Sequence, residues 1–492
     1  MTQRYDWVLA MIAVTAASTV AMVLFPQVRH WFIVPVTTAG ALISVETISW
    51  LRRRTDLLDP QAILSVAGFH FFYLTPILHV VLDHWPRFLL SSADWPAALG
   101  SMALVNTAGL CLYRGVLAIP SRAGRRTPAH PPAAAGRATT ELRPDVLYVF
   151  GLLAVTAGIL AFGALVLLMG GPGQLINAYT QDRAALDNLG WLLIVAESFP
   201  LIGFALALVR WRNELARRPW LIFLLLTSLA ALQFMVGGLR GSRSNTLWPI
   251  VLGFIMVHLL VRHVSWRVLV VTALSTGVFL YSYGLYKGAG TEVLGIIHGQ
   301  ETVADVSART GRDLPTLLLG DLSRADVQAL VLERSRQGSS DLGHGSSYVN
   351  AMLLPVPSTL LPYRPSDKVH LGTDLTTGVG MYESGYRSSR IYGLAGEATL
   401  NFGPVGAILS FLLLGGFTRW CRQRYLDIGR NGSLAARLLA PMLSIATPMV
   451  LLNDAGNYMW FFLKYFLPLA TVVAVALAVS TLRHGRGRAA RR

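Results

Sequence analysis

Charge is scarce in this sequence: Asp, Glu, Lys and Arg make up 14% of 492 residues, against roughly 25% in an average soluble domain. Apolar chain stands in its place, with 53% hydrophobic residues and a mean hydropathy of +0.50. No water-soluble core absorbs that much, which excludes a soluble enzyme. The apolar runs fill most of the chain, which excludes a single-span receptor. Cysteine is scarcer still: Cys111 and Cys421 are the only two, too few for a disulfide framework. Acidic residues are also short, 26 against 42 Lys and Arg, for a net charge of +16. In a soluble protein that balance points to nucleic acid. In a membrane protein it points to basic cytoplasmic loops, and the placement of the arginines tests this.

A spanning helix needs about 20 mostly apolar residues. Twelve segments qualify: 7–25, 31–51, 61–82, 97–117, 146–169, 191–209, 220–236, 246–261, 268–285, 391–417, 434–452 and 458–482. The first is too long for a signal peptide and has no clean small-residue cleavage site. With the N-terminus inside, the inner segments carry 26 arginines and the five short outer loops carry five. The positive-inside rule then puts both termini in the cytoplasm and accounts for the net charge without nucleic acid. The expected fold is an all-α polytopic membrane protein of about 12 transmembrane helices, with a large, partly helical outer loop between helices 9 and 10.

The organisation follows. Residues 1–285 hold helices 1–9, interrupted by a Pro/Ala/Arg-rich linker at 118–145 that is expected to be disordered and cytoplasmic. Residues 286–390 form the large outer loop. Residues 391–482 hold helices 10–12, and 483–492 form a basic tail. The loop's apolar patches, LPTLLLGDL and YVNAMLLPVPSTLLP, are too short to span and predict helices lying on or dipping into the membrane surface. No internal repeat is visible, which weakens an inverted-repeat carrier.

Ionisable groups at membrane depth are costly and mark functional candidates. Glu397, in GLAGEATLNFGPVGA, falls about two turns inside the tenth segment, with Asn401 four residues later on the same helical face. A structural hydrogen bond within the bundle is its alternative role. GGLRGSRSN carries Arg240 and Arg243 in a short outer loop, against the positive-inside pattern. A planar guanidinium fork suits phosphate or diphosphate; snorkelling to lipid headgroups is the alternative. His344, in DLGHGSSYVN, is a candidate general base, since histidine titrates near pH 6.5, or else a solvated loop histidine. Lys464 follows LLNDAGNYMW, so Asn453, Asp454 and Asn457 are expected near its level. Glu197 falls in the outer half of the sixth segment. Arg183, Arg309, Arg334, Tyr382, Arg387 and Arg390 are weaker candidates. His70 and His79 read as bundle histidines. No cluster has metal-ligand spacing, and no glycine-rich loop cradles a nucleotide.

Four stretches together resemble the O-antigen polymerase (Wzy-type oligosaccharide repeat-unit polymerase) family. They are RRRTDLLDPQAILSVAGFHFFYLTPILHV at 52–80, GGLRGSRSN, the large outer loop with GHGSSYVNAMLLPVP, and GLAGEATLNFGPVGA. The last is similar to that family's Gly-Glu-x-x-x-Asn-Phe-Gly-x-x-Gly signature. The family pairs two Arg-x10-Gly motifs in its third and fifth outer loops. Here both matches, Arg309 to Gly320 and Arg334 to Gly345, fall in the fifth loop, and Arg183 stands alone in the third.

The resemblance implies a multi-pass protein of the bacterial inner membrane that polymerises undecaprenyl-diphosphate-linked repeat units into O-antigen, capsule or exopolysaccharide. Arg240 and Arg243 would hold the diphosphate, with Arg390 and Lys464 helping, and Glu397 or His344 would be the base. The remaining arginines, Asn401 and Tyr382 would contact the glycan. No metal or other cofactor is required where arginines take the charge. Its implied partners are the lipid-linked oligosaccharides, membrane lipids, and a chain-length regulator and flippase of the same pathway. A transporter or flippase is the runner-up, and an O-antigen ligase would share topology and chemistry. A dolichyl-phosphate-type glycosyltransferase would want acidic residues in the first outer loop, which is only PQVRH.

Overall fold

The protein is described by a computed structural model covering residues 2–86, 89–120, 142–180, 186, 189–240, 243–338, 341–357, 360–361, 363–388 and 390–489. The expected 118–145 linker and Arg183 therefore lie largely or wholly outside the described residues. Among the described residues there are helices and no strands. Twelve helices are long and apolar enough to cross a membrane: Tyr5–Leu24, Ile33–Leu51, Pro60–Leu82, Trp95–Ala118, Pro144–Leu168, Gly190–Arg210, Pro219–Gly238, Arg243–Leu260, Trp266–Ala289, Gly393–Arg430, Leu434–Leu452 and Ala455–Leu482. The protein is an all-α polytopic membrane protein. The tenth helix outruns the hydropathy reading by 13 residues, because Arg419–Arg430 stays helical after it turns polar.

The local sequence explains where spans begin. The Asp59 carboxylate accepts from the Gln61 and Ala62 N–H groups, with Pro60 opening the third span. Asp94 does the same for Ala97 at the fourth, with Pro96 following. A carboxylate there satisfies orphan donors, and proline lacks the N–H that would be orphaned.

The chain forms two compact units. The first comprises 1–120, 303–423 and 444–460. Its core joins the first four spans to the tenth through Val14, Val36, Leu64, Phe72, Leu99, Met102 and Phe411. Buried charges pin it: Arg114 lies 2.5 Å from Glu46, and Gln61 donates to the same carboxylate. Arg422 pairs with Asp59 at 2.9 Å, tying the tenth span to the cap of the third.

In this unit part of the long connection between the ninth and tenth spans dips among the helices. The Leu318 carbonyl meets His70 Nε2 at 3.0 Å, and the same ring atom lies 3.3 Å from Thr75 Oγ1. Thr75 is seven residues, about 10 Å, from the end of the third span. The chain returns as the helix Ala325–Arg336, whose residues Ala325–Leu332 are buried on every side. Gln328 and Asn106 of the fourth span donate to each other's amide oxygens at 2.8 and 3.3 Å. The helix's buried polar members have partners: the amide pair serves Gln328, and Asp326 Oδ1 accepts from Val327 N–H at 2.8 Å.

The second unit comprises 121–302, 424–443 and 461–492. Its fifth and sixth spans pack along their length. Gly158 lies against Phe199, where a side-chain carbon would sit 2.4 Å from the Phe199 Cβ. Small residues of this kind let membrane helices approach closely.

Candidate functional site

Two buried polar clusters stand out, one in each unit. The cluster of the second unit is built on Glu197, which is 0% exposed in the sixth span. Its carboxylate lies 2.7 Å from Arg240 Nη2 and 2.9 Å from Lys464 Nζ. Both cations sit at irregular turns. The seventh span ends in a π-turn, Phe234–Gly238, two residues before Arg240, and Lys464 lies inside the π-turn Phe462–Phe466 of the twelfth. Widened turns like these re-aim side chains and recur at functional sites. Lys464 also donates to Asn245 Oδ1 at 3.3 Å, Asn245 Nδ2 donates to the Gly237 carbonyl, and the Tyr465 hydroxyl donates to the Asn245 carbonyl at 2.9 Å. Gln233 donates to the Glu197 carbonyl and the Tyr465 hydroxyl. Tyr179 donates to the Val236 carbonyl; burial, with the Glu197 charge adding, pushes its phenol up to about 12. One carboxylate thus carries two cations, and these three side chains hold a formal charge of +1.

This geometry corrects two expectations. GGLRGSRSN is not a nine-residue loop: Gly237 and Gly238 close the π-turn, and the eighth helix opens at Arg243. Arg240 is held by a buried carboxylate instead of snorkelling. Lys464 lies in the π-turn of the twelfth span with its ammonium on Glu197 of the sixth.

The cluster of the first unit is built on Glu397 and Asp454, 2% and 0% exposed. Each carboxylate serves the start of a helix that belongs to the other. Asp454 Oδ1 accepts from the N–H groups of Tyr392 and Gly393 at 2.7 and 3.1 Å, at the head of the tenth span. Glu397 Oε2 accepts from Ala455 N–H at 2.7 Å, at the head of the twelfth. A carboxylate at a helix N-terminus is favoured both by the orphan donors and by the dipole. Lys368, from the long connection, forms an ion pair with Asp454 and donates to the Arg390 carbonyl. Asn457 also donates to Asp454.

The tenth span breaks at Gly403, whose φ of 68° and ψ of −166° are not helical. The carbonyls of Leu400 and Asn401 are among those that lose their helical donors. Leu400 would accept from residue 404, which is proline and has no N–H, and the break removes the donor for Asn401. The connection supplies both: Gly343 N–H donates to Leu400 O, and His344 N–H to Asn401 O, each at 3.0 Å. Gly345 N–H donates to Asn401 Oδ1 at 3.0 Å, Ser347 Oγ to Glu397 Oε1 at 2.7 Å, and Asn401 Nδ2 to Ser347 Oγ at 2.8 Å. His344 takes the left-handed region with φ 47°, uncommon for a residue with a side chain, while its ring is exposed. Burial drives the Tyr348 phenol well above its ordinary range and the Tyr392 phenol up to about 12.

The structure therefore gathers Glu397, Asn401 and the His344 backbone in one place, and Arg240 with Lys464 in another. Arg390 joins the first through its carbonyl. Arg309 is exposed on the helix Val303–Thr310. Arg334 donates to the Ser91 carbonyl at 3.3 Å. Tyr382 packs under the Arg387 guanidinium, 3.6 Å from its ring centre, and edge-on to His370. Arg183 lies outside the described residues. Ser347 and Lys368 went unselected by sequence reasoning. Ser347 stands inside GHGSSYVN, whereas nothing local singles out Lys368.

Comparison with family models, with curated proteins and with solved structures returns no match for this chain.

Proposed function

We propose that the protein is a membrane glycosyltransferase that polymerises polyprenyl-diphosphate-linked oligosaccharide repeat units at the outer face of a bacterial inner membrane. The observation that carries this reading is a pair of cations, the buried Lys464 of the twelfth span and the partly buried Arg240 at the end of the seventh, gathered on the fully buried Glu197 of the sixth. A lipid-borne diphosphate is an anion that arrives at such a position with its tail already in the bilayer. Guanidinium and ammonium donors fixed before it arrives favour the charge that develops as it leaves. The acceptor hydroxyl attacks the donor's anomeric carbon, the bond from that carbon to the diphosphate breaks, and the lipid diphosphate departs with the bonding electrons. The hydroxyl proton goes to a base.

Glu397 and His344 are the two candidates for that base. Both Glu397 oxygens are occupied, one by Ser347 and one by Ala455 N–H, whereas the His344 ring is exposed on a backbone pinned to the tenth span. We therefore assign the proton to His344 and the holding of its loop to Glu397. The basic loops support cytoplasmic termini. The test is purified protein in vesicles with lipid-linked repeat units. A ladder of polymer is the expected product, lost when Arg240→Ala and Arg243→Ala are combined. Transfer to a lipid A acceptor without a ladder makes the protein a ligase, and movement of the lipid without new glycosidic bonds makes it a flippase.

A further inference from the structure

The helix Ser346–Leu353 has two unlike faces. Ser347 and Ala351, four residues apart, are 4% exposed each, while Val349 and Met352, three apart, are 48% and 70% exposed. Its buried face docks on the tenth span through the Ser347–Glu397 hydrogen bond and through Tyr348, whose ring lies nearly parallel to Phe402 at 6.2 Å. From Phe402 an exposed stripe continues along the tenth span through Val405, Leu409 and Leu413, 65%, 50% and 76% exposed. Val405, Leu409 and Leu413, four residues apart beyond the Gly403 break, share one face, and Phe402, just before the break, is 48% exposed as well. On a spanning helix such a face meets hydrocarbon.

The depth of the contact follows from the other end of that span. Arg419 is the first charged residue there, and its guanidinium donates to the carbonyls of Val116 and Ile119. The hydrocarbon takes about 20 residues of helix, so a span ending at Thr418 begins near Thr399. Phe402 then lies about one turn inside the boundary, and the docked helix lies at the level of the headgroups and first chain carbons. Amphipathic helices rest at that depth, about 5–10 Å into the boundary.

We propose that Ser346–Leu353 is an interfacial helix whose Val349–Met352 face is covered by lipid hydrocarbon, in the leaflet at the Gly393 end of the tenth span. The continuity of this face with the lipid-facing stripe selects lipid over water, over glycan and over a second copy of the chain. The inference stands independently of the polymerase reading. It also gives the docked loop a fixed depth, with His344 two residues before the helix held at headgroup level.

The test places a bimane label at Val349→Cys or Met352→Cys in a Cys111→Ser background, Cys421 being buried. The protein is reconstituted in phosphatidylcholine vesicles with or without brominated chains. Emission is expected to be lost in the brominated lipid and kept against aqueous iodide. A label at Gln337→Cys, exposed in the same connection, is expected to behave oppositely. Quenching of the Met352→Cys label by iodide alone overturns the proposal, and so does disulfide crosslinking between two copies of the unlabelled Met352→Cys protein. A label is able to unseat a short helix, so protease sensitivity gives a second measurement. Met352→Glu should expose the connection to cleavage and Met352→Leu should not; a Met352→Glu protein as resistant as wild type also overturns the proposal.

Discussion

Replacing Glu197 by glutamine keeps the shape of the side chain and removes the one charge that Arg240 and Lys464 share. Glu197 is 0% exposed, and the side chains of Lys464 and Arg240 are 8% and 19% exposed, so water repays little of the loss. Removing one partner of a buried pair costs about 3–5 kcal/mol, because the other charge is left uncompensated. Two cations lose this carboxylate at once, so Glu197→Gln should sit at the upper end of that range. Lys464→Met should cost less, since Glu197 keeps Arg240. The double variant should recover part of the loss, with a coupling of about 2 kcal/mol, within the range for residues in one network. Reversible unfolding in mixed micelles, followed by the fluorescence of the 12 tryptophans, measures all three. A Glu197→Gln protein within about 1 kcal/mol of wild type by the same scale refutes the reasoning, as does a double variant that loses the sum of the single ones. A lipid diphosphate bound between the freed cations should restore stability to Glu197→Gln by mass action, about 2.7 kcal/mol at a hundredfold excess over its Kd.

Three further outcomes are expected for the site, and one for the topology. Arg243→Lys keeps the charge and loses the bidentate fork, so the polymerisation rate should fall at every donor concentration; curves that overlay wild type at matched membrane levels reject a diphosphate role for Arg243. His344→Gln should lower the rate by roughly 10²–10⁴-fold, the contribution of a general base, and leave the loop as protease-resistant as wild type. Glu397→Gln and Ser347→Ala should lower yield and loosen the loop together; a Glu397→Gln protein with normal yield and a tight loop removes Glu397 from both roles. A cysteine at Val379, which is 91% exposed, should react with an impermeant maleimide once only the outer barrier is opened; labelling that requires a breached inner membrane reverses the topology.

The spans were legible because hydropathy and the positive-inside bias act over twenty residues at a time. All twelve are where the apolar runs put them, with ends displaced where a helix continues past the hydrocarbon, as at Arg419–Arg430. Glu397, Asn401, Arg240, Lys464 and Glu197 were legible as polar groups in apolar surroundings. Their pairings were not. Glu197 meets Lys464 across 267 positions of sequence, and the π-turn that holds Lys464 has no sequence signal of its own. The break at Gly403 was not read from the continuous apolar run 391–417, nor was its closure by residues 343–345. Lys368 was invisible because its partner is reached only through the folded connection.

The closure of that break bears on how the chain is made. A carbonyl left without a donor costs free energy wherever water is excluded, and those of Leu400 and Asn401, at the edge of the hydrocarbon, lack helical donors until residues 343 and 344 donate to them. This helix is therefore a poor candidate for insertion as an autonomous unit. Synthesis runs from the N-terminus, so the segment that completes it has already been made when the helix enters the bilayer. The order of the two along the chain lets the donors wait for the acceptors. Moving the 341–347 segment downstream of the tenth helix, by circular permutation for example, would leave the folded contacts possible and delay them until after the step that needs them.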